Sequence, residues 1–141
     1  MNNNYHELIK GRIYIGGADD AEEAAQNEQI DFVLDLRAES PNSDAEYTRI
    51  HSPIVDDAGD QDDSIKESIH RVVSAYNDGK NVYFHCQGGS NRTGTVAVGT
   101  LLELGKAKTL DEAVAMAKQS RPKINVKPEM MDSLRKLYPQ A

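Results

Sequence analysis

The hydrophobic and polar positions along the chain predict short strands that alternate with helices. Strands are predicted at residues 12–15, 32–36 and 82–84, which are mostly apolar, and a short or irregular strand is predicted at residues 47–54, which contain Pro53. Helices are predicted at residues 64–77, 93–104, 109–120 and 128–137, and at residues 19–29, which are rich in Ala and Glu and acidic in the first turn. Because this alternation is typical of parallel sheets, we predict an α/β fold: a single-domain sandwich with a central, mostly parallel sheet of about four to five strands flanked by helices.

Residues at the ends of the predicted helices support these boundaries. Ser64 can cap the helix that it opens, and Thr109-Leu110-Asp111-Glu112 is a capping-box pattern. Gly105 suits a left-handed helix end, and Pro128 suits the first position of the last helix. Residues 56–63 are acidic and aperiodic, and we predict a mobile loop there.

The formal net charge of −7 is unevenly distributed along the 141 residues. Residues 1–70 carry 17 acidic and 5 basic side chains, whereas residues 71–141 carry 6 acidic and 11 basic ones. An acidic protein lacks the basic surface that general binding to nucleic acid or to an anionic membrane requires, so neither partner is expected. The basic half instead suits an anionic group carried by a substrate.

The number of cysteines and the spacing of the histidines indicate the cellular compartment and whether a metal is bound. The chain has one cysteine, so no internal disulfide can form, and a reducing, cytoplasmic location is the simplest interpretation. No apolar run approaches the roughly 20 residues of a membrane span, and the first four residues lack signal-peptide features. His6, His51 and His70 show no metal-ligand spacing, so we expect neither a metal nor another cofactor.

Residues 82–94 carry the strongest chemical signal in the chain. An apolar strand ends at His85, Cys86 follows, and five residues separate that cysteine from Arg92 at the opening of a helix. The turn between them is rich in glycine, so its backbone N–H groups can point inward. A loop of this kind at a helix N-terminus is a ready binding site for an anion such as phosphate.

Each residue type in this loop fits one requirement of phosphoryl transfer. Cys86 supplies a nucleophile as a thiolate, which a helix N-terminus and a nearby cation stabilise. Arg92 can bind two phosphoryl oxygens at once, and the Thr93 hydroxyl can hydrogen-bond the thiolate. His85 is expected to orient the nucleophile and not to act as a base, because an ionised thiol has no proton to remove. The loop residues expected to bind the phosphate are Gln87, Gly88, Gly89, Ser90, Asn91 and Arg92.

An inert interpretation of the same residues stays open at this point. A lone cysteine after an apolar strand is usually a buried core residue, and a Gly-Gly turn is usually only geometry. However, Cys86, Arg92, Thr93 and three glycines all fall within the nine residues 86–94. This conjunction favours chemistry over core packing.

The loop also resembles a known signature. The pattern His-Cys-x-x-Gly-x-x-Arg-Thr-Gly at residues 85–94 resembles the signature loop of the cysteine-based protein tyrosine phosphatases, particularly the compact dual-specificity branch with its kinase-associated phosphatase-like enzymes. Residues 11–16, 32–37 and 121–138 resemble two strands and the closing helix of that branch. The resemblance covers residues about 10–138 and implies one phosphatase domain over residues 1–141 with a dual-specificity phosphatase-like fold.

The resemblance also implies a general acid on a loop about thirty residues before the cysteine. Asp56 lies thirty positions before Cys86, and the Pro-Ile-x-Asp pattern at residues 53–56 favours it over Asp57. Asp56 would protonate the leaving oxygen and then deprotonate the water that cleaves the phospho-cysteine. Asp57 as the acid, and a merely solvated acidic loop, are the alternatives.

The function implied is a metal-independent phosphatase that acts on phosphotyrosine, and also on phosphoserine or phosphothreonine, in a phosphoprotein or phosphopeptide partner. A first alternative keeps the chemistry and changes the substrate to RNA 5′-triphosphate, another small polyphosphate or a phosphoinositide. The loop has no lysine, which disfavours a polyphosphorylated inositol lipid. A second alternative is a non-catalytic phosphate-binding module.

Arg37 has two interpretations. It can lie near the loop and add positive charge, or it can pair with acidic residues of the N-terminal half. The excess of acidic residues there favours the pairing.

Overall fold

The computed structural model describes residues 5–38, 49–55 and 61–141. Its strands are β1 (His6–Ile9), β2 (Ile13–Gly16), β3 (Phe32–Arg37), β4 (Arg49–Ile54) and β5 (Val82–His85). Its α-helices are α1 (Ala21–Asn27), α2 (Asp62–Asn77), α3 (Asn91–Glu103), α4 (Leu110–Ser120) and α5 (Pro128–Leu137), and a 3₁₀ turn at Ala18–Asp20 precedes α1. The predicted α/β class is confirmed.

The five strands form one sheet in the order β1-β2-β5-β3-β4. Only the pairing of β1 with β2 is antiparallel, and the other three pairings are parallel. The sheet is therefore mostly parallel, as predicted. Strand β5 lies in the middle of the sheet, so the residue that follows it emerges at the centre of the carboxyl edge, where sheets of this type bind ligands.

Helices cover both faces of the sheet, because successive side chains along a strand point to opposite faces. On one face, Tyr14, Val33 and Tyr83 pack with alanines of α1. On the other face, the alternate positions form the larger core with α2 to α5: Ile13, Ile15, Leu34, Leu36, Val82 and Phe84. Strands buried on both faces explain why the sequence reads as continuous apolar runs.

The structure corrects several element boundaries. Strand β1 was not predicted, because a half-exposed edge strand of mixed polarity gives no clear alternation. The first predicted helix divides into the 3₁₀ turn and a shorter α1 that ends at Asn27. Helix α2 begins at Asp62, before the predicted cap Ser64, because two acidic residues suit the first turn of a helix. Residues 56–60 of the predicted mobile loop and residues 47–48 of the predicted strand lie outside the described ranges.

Helix α3 begins at Asn91, two residues earlier than predicted, so Arg92 and Thr93 lie in its first turn. Two predicted helix ends are confirmed. Gly105 after α3 has a φ of +70°, and the Thr109 hydroxyl accepts a hydrogen bond from the Glu112 amide at 3.1 Å.

Across the described ranges, no helix has the length and apolar character needed to cross a membrane. The extent of the domain and the cytoplasmic location stay predictions.

The contact between α2 and α3 gives a test of the core. Ile69 of α2 is fully buried and lies against Gly99 of α3, where any side chain would collide with it. We expect Ile69→Ala to lower the free energy of unfolding by about 2–5 kcal/mol, because the cavity between two helices cannot fully close. Urea denaturation measures this loss. Lys66→Ala, on the exposed side of α2, is the control, and a loss no larger than that of the control would contradict the packing.

Candidate active site

The loop predicted to bind phosphate lies between the central strand β5 and the N-terminus of α3. It surrounds a cavity of about 170 Å³. The residues that line this cavity are Cys86, Gln87, Gly88, Ser90, Asn91, Arg92 and Lys127. The structure thus brings the predicted loop residues around one space, although Gly89 is not among the residues that line it, and it adds a lysine from the segment before α5.

The carbonyl groups of the first half of the loop are bound from outside it. His85 Nδ1 lies 2.9 Å from the Cys86 carbonyl oxygen, and the amide of Ala18 donates to the Gln87 carbonyl at 3.1 Å. In a trans peptide unit the N–H points away from the carbonyl. Each outward carbonyl therefore turns the next N–H toward the concave side of the loop.

The second half of the loop is held by the segment 121–127. Arg121 Nη2 donates to the Gly88 carbonyl at 3.2 Å, and Arg121 Nε donates to the Gly89 carbonyl at 2.9 Å. The amide of Asn125 donates to the Ser90 carbonyl at 3.3 Å. Five consecutive carbonyls, from Cys86 to Ser90, thus have a partner outside the cavity. Such an array of inward N–H groups suits a bound oxyanion.

Gly89 must be glycine for two reasons. Its φ of +72° is a left-handed conformation that other residues adopt only with strain. A Cβ at this position would also lie 2.6 Å from the backbone of Gly16 and 2.7 Å from Arg121 Nη2. The close approach of strand β2 and of the guanidinium to the loop depends on the missing side chain.

Cys86 lines the cavity, and its thiol is hydrogen-bonded to Thr93. The Thr93 hydroxyl donates to Cys86 Sγ at 3.0 Å and accepts from the Cys86 amide at 2.8 Å. Cys86 is 3% exposed, so only a group that enters the cavity reaches the sulfur. The predicted contact between hydroxyl and thiol is present, and the catalytic role of both residues stays a prediction.

Arg92 is also buried, with 3% exposure, and it lines the same cavity. Its Nη1 donates to the carbonyl of Ile54 at 3.1 Å, at the end of β4. This bond ties the cavity to the strand that leads into residues 56–60. Asp56 and Asp57, the candidates for the general acid, lie outside the described residues.

His85 is almost fully buried, and its ring lies beside that of Tyr83. Because a carbonyl can only accept, Nδ1 carries the hydrogen that is donated to the Cys86 carbonyl. Burial lowers the pKa of His85, and the charges of Arg37 and Arg49 add to this lowering. The hydrogen bond to the Cys86 carbonyl and the charge of Asp35 oppose it without reversing it. A neutral ring that orients the loop fits the prediction of a positioning residue better than that of a base.

A buried ion cluster next to His85 was not predicted. Asp35 is fully buried and receives hydrogen bonds from Arg37 and Arg49, the shortest at 2.7 Å. Burial alone would raise the pKa of Asp35, but the bonds from the Arg37 side chain and backbone and from Arg49 hold that pKa well below its usual range. Arg37 Nη1 also donates to Gln87 Oε1 at 3.1 Å, so both interpretations of Arg37 hold.

Arg121 and Lys127 contact the site and were not singled out from the sequence. In the sequence, both residues fall within the range 121–138 that resembles the closing helix of the family. The sequence feature that could have pointed to Arg121 is its place between the end of α4 and Pro122. This signal is weak, because helix ends are often basic.

Among residues 5–38, 49–55 and 61–141, no three His, Cys, Asp or Glu side chains are grouped so that they can hold a metal ion. The expectation of no metal and no cofactor stays a prediction.

Comparison with known proteins decides the family. The model of the dual specificity phosphatase catalytic domain matches residues 13–140. The chain belongs to this family. It is also 32% identical over 94 residues to dual specificity protein phosphatase 1-A of Xenopus laevis. That match covers 65% of this chain and 25% of the relative, so the chain spans only about a quarter of that protein's length.

Solved structures share the fold of this dual specificity phosphatase domain. Human DUSP28 has a TM-score of 0.83 at 20% identity, with 100% of this chain and 98% of that chain covered. PTPMT1 in complex with PI(5)P has a TM-score of 0.79 at 17% identity, with 96% and 95% covered. The predicted membership of the cysteine-based phosphatases, in the compact dual-specificity branch, is confirmed.

The buried His85 gives a pH-dependent prediction. Folding lowers its pKa, so at a pH between the two pKa values the imidazole is protonated in the unfolded chain and neutral in the folded protein. The contribution of neutral His85 to the free energy of unfolding is fully present above about pH 6.5 and is lost as the pH falls through the lowered pKa. We expect the free energy of unfolding of His85→Gln to fall less steeply below about pH 6.5 than that of the wild type.

Urea denaturation at a series of pH values measures this difference. His70→Gln, which removes an exposed imidazole from α2, is the matched control. Parallel curves for the wild type and His85→Gln would show that the buried ring does not contribute as described.

Proposed function

We propose that this protein is a metal-independent phosphatase that hydrolyses phosphotyrosine, and also phosphoserine and phosphothreonine, in proteins or peptides through a phospho-cysteine intermediate. The observation that carries the proposal is that buried Cys86 lines a cavity whose loop binds five consecutive carbonyls, those of residues 86–90, to partners outside the cavity. The family supports the class of reaction. The substrate and the roles of individual residues are the proposed part.

The reaction has two displacement steps. The Cys86 thiolate attacks phosphorus, the bond from phosphorus to the substrate oxygen breaks, and Asp56 gives its proton to that oxygen. Asp56, now ionised, takes a proton from water, and the water oxygen attacks the phospho-cysteine. Inorganic phosphate leaves, and Cys86 returns to the thiolate form. No redox step or metal is needed.

Four groups have a stabilising role in this proposal. The inward N–H groups of the loop and the Arg92 guanidinium bind the equatorial oxygens, whose charge increases during transfer. The Thr93 hydroxyl, 3.0 Å from Sγ, stabilises the thiolate as nucleophile and again as leaving group. His85 holds the Cys86 carbonyl and so fixes the backbone that carries the sulfur.

A phosphoinositide is a second candidate substrate, and one observation favours it. The loop has no lysine, but Lys127, from outside the loop, is among the residues that line the same cavity, and its side chain is a candidate cation for a second phosphate group. PTPMT1, which has a similar fold, forms a complex with PI(5)P. Initial rates on a phosphotyrosyl peptide, a phosphoseryl peptide, PI(5)P and RNA with a 5′-triphosphate separate the candidates, and a preference for either non-protein substrate would overturn the main proposal.

The first test of the chemistry is hydrolysis of a small aryl phosphate in the presence of a chelator. We expect Cys86→Ser to lower kcat by on the order of 10³-fold or more, because a neutral hydroxyl replaces the thiolate. Arg92→Lys should cost about 10²-fold or more, because lysine cannot make the bidentate contact. Arg71→Lys, at an exposed position of α2, is the control for an arginine change. Hydrolysis that survives in Cys86→Ser would end the proposal.

The general acid is tested by the pH dependence of kcat. We expect Asp56→Asn to slow the turnover of an alkyl phosphate and to remove the loss of rate at high pH, because no proton is then available for the leaving oxygen. Asp57→Asn is the matched control on the next residue. If Asp57→Asn and not Asp56→Asn flattens the profile, the acid is Asp57.

A further inference from the structure

Arg121 is a buried cation behind the anion-binding loop. It is 3% exposed and follows the last residue of α4. Its Nε and Nη2 donate to the carbonyls of Gly89 and Gly88, and Nη1 lies 3.0 Å from His6 Nδ1 on the edge strand β1. The side chain does not line the cavity, so it acts on the loop from the opposite side.

We propose that Arg121 is a positioning residue for phosphoryl transfer: its guanidinium holds the Gly88 and Gly89 carbonyls outward and so fixes the N–H groups of Gly89 and Ser90 toward the phosphoryl oxygens. The inference rests on the proposed function and extends it to a residue that does not touch the substrate. Each of the two carbonyls shares a rigid trans peptide unit with the next N–H, so fixing one fixes the other.

The charge of Arg121 adds to its geometric effect. A cationic donor on a carbonyl oxygen polarises the peptide unit, so the hydrogen on the other side becomes a stronger donor. Two such units lie side by side in the loop. Without the guanidinium, both carbonyls would have to turn toward water or toward the bound anion, and an inward carbonyl would repel a phosphate.

His6 and Gly89 fix the position of the guanidinium itself. Nη1 donates to His6 Nδ1, which requires a lone pair on that nitrogen and therefore a neutral ring with hydrogen on Nε2. A side chain at Gly89 would approach Arg121 Nη2 to 2.7 Å. The guanidinium fork is thus fitted between strand β1 and the loop, and a lysine cannot make all three contacts at once.

The test compares Arg121→Gln and Arg121→Lys with a matched control, Arg12→Gln. Arg12 also donates to two backbone carbonyls, those of Tyr76 and Lys80, but it precedes β2 at the opposite edge of the sheet from the loop. The full chain is used, and urea denaturation measures the folded fraction of each variant. Two assays follow: one gives the dissociation constant for tungstate, and the other gives kcat and KM for an aryl phosphate.

We expect Arg121→Gln to weaken tungstate binding by about tenfold or more and to lower kcat by about 10²-fold, with a smaller change in KM. Arg121→Lys should fall between this variant and the wild type, because it keeps the charge but lacks the planar fork that reaches both carbonyls and His6 at once. Arg12→Gln should stay within about threefold of the wild type in both quantities, whatever its loss of stability. If Arg121→Gln does not fold, Arg121→Lys decides by the same two quantities.

Two outcomes separate this inference from the proposed function. If folded Arg121 variants bind tungstate and turn over within about threefold of the wild type, the inference is wrong and the phosphatase proposal stands. If the wild type hydrolyses no phosphate ester, yet tungstate binding still weakens in Arg121→Gln and not in Arg12→Gln, the positioning role stands and the catalytic proposal fails.

Discussion

An array of N–H groups aimed at one point is the constraint on which this site depends. Backbone carbonyls must find partners somewhere, and a loop that turns its N–H groups inward must bind its carbonyls outside. Here the partners of the carbonyls of residues 87–90 come from distant parts of the chain: the turn before α1 and the segment after α4. The surrounding fold can therefore be understood as the frame that supplies those partners.

Charge around the loop is arranged in the same way. Asp35, buried beside the loop, holds Arg37 and Arg49, and Arg37 continues to Gln87. A carboxylate of this kind keeps cations near an anion site while balancing part of their charge, so the fold does not bury an uncompensated positive cluster beside the loop. Arg121 supplies a further cation from the opposite side, where the carbonyl oxygens of Gly88 and Gly89 and His6 Nδ1 accept its hydrogen bonds.

The sequence was sufficient for the parts of the site that lie close together in the chain. Cys86, Arg92 and Thr93 fall within one strand–loop–helix unit, so spacing alone predicts their meeting and the helix that follows. Arg121 contacts carbonyls 32 and 33 residues away, and no period or spacing marks such a contact. Strand β1 was not predicted for a related reason: its formation depends on its pairing with β2 and not on its own pattern of apolar residues.

The wide separation of the loop's partners has a consequence for the stability of the whole molecule. The loop N–H groups point inward only when β1, the turn before α1 and the segment 121–127 are packed around the loop. An oxyanion therefore binds the native state and not the unfolded chain. Binding of that kind raises the free energy of unfolding by about 1.4 kcal/mol for each tenfold excess of anion over its dissociation constant. Phosphate, the product of the proposed reaction, would therefore also act as a stabilising ligand of the fold.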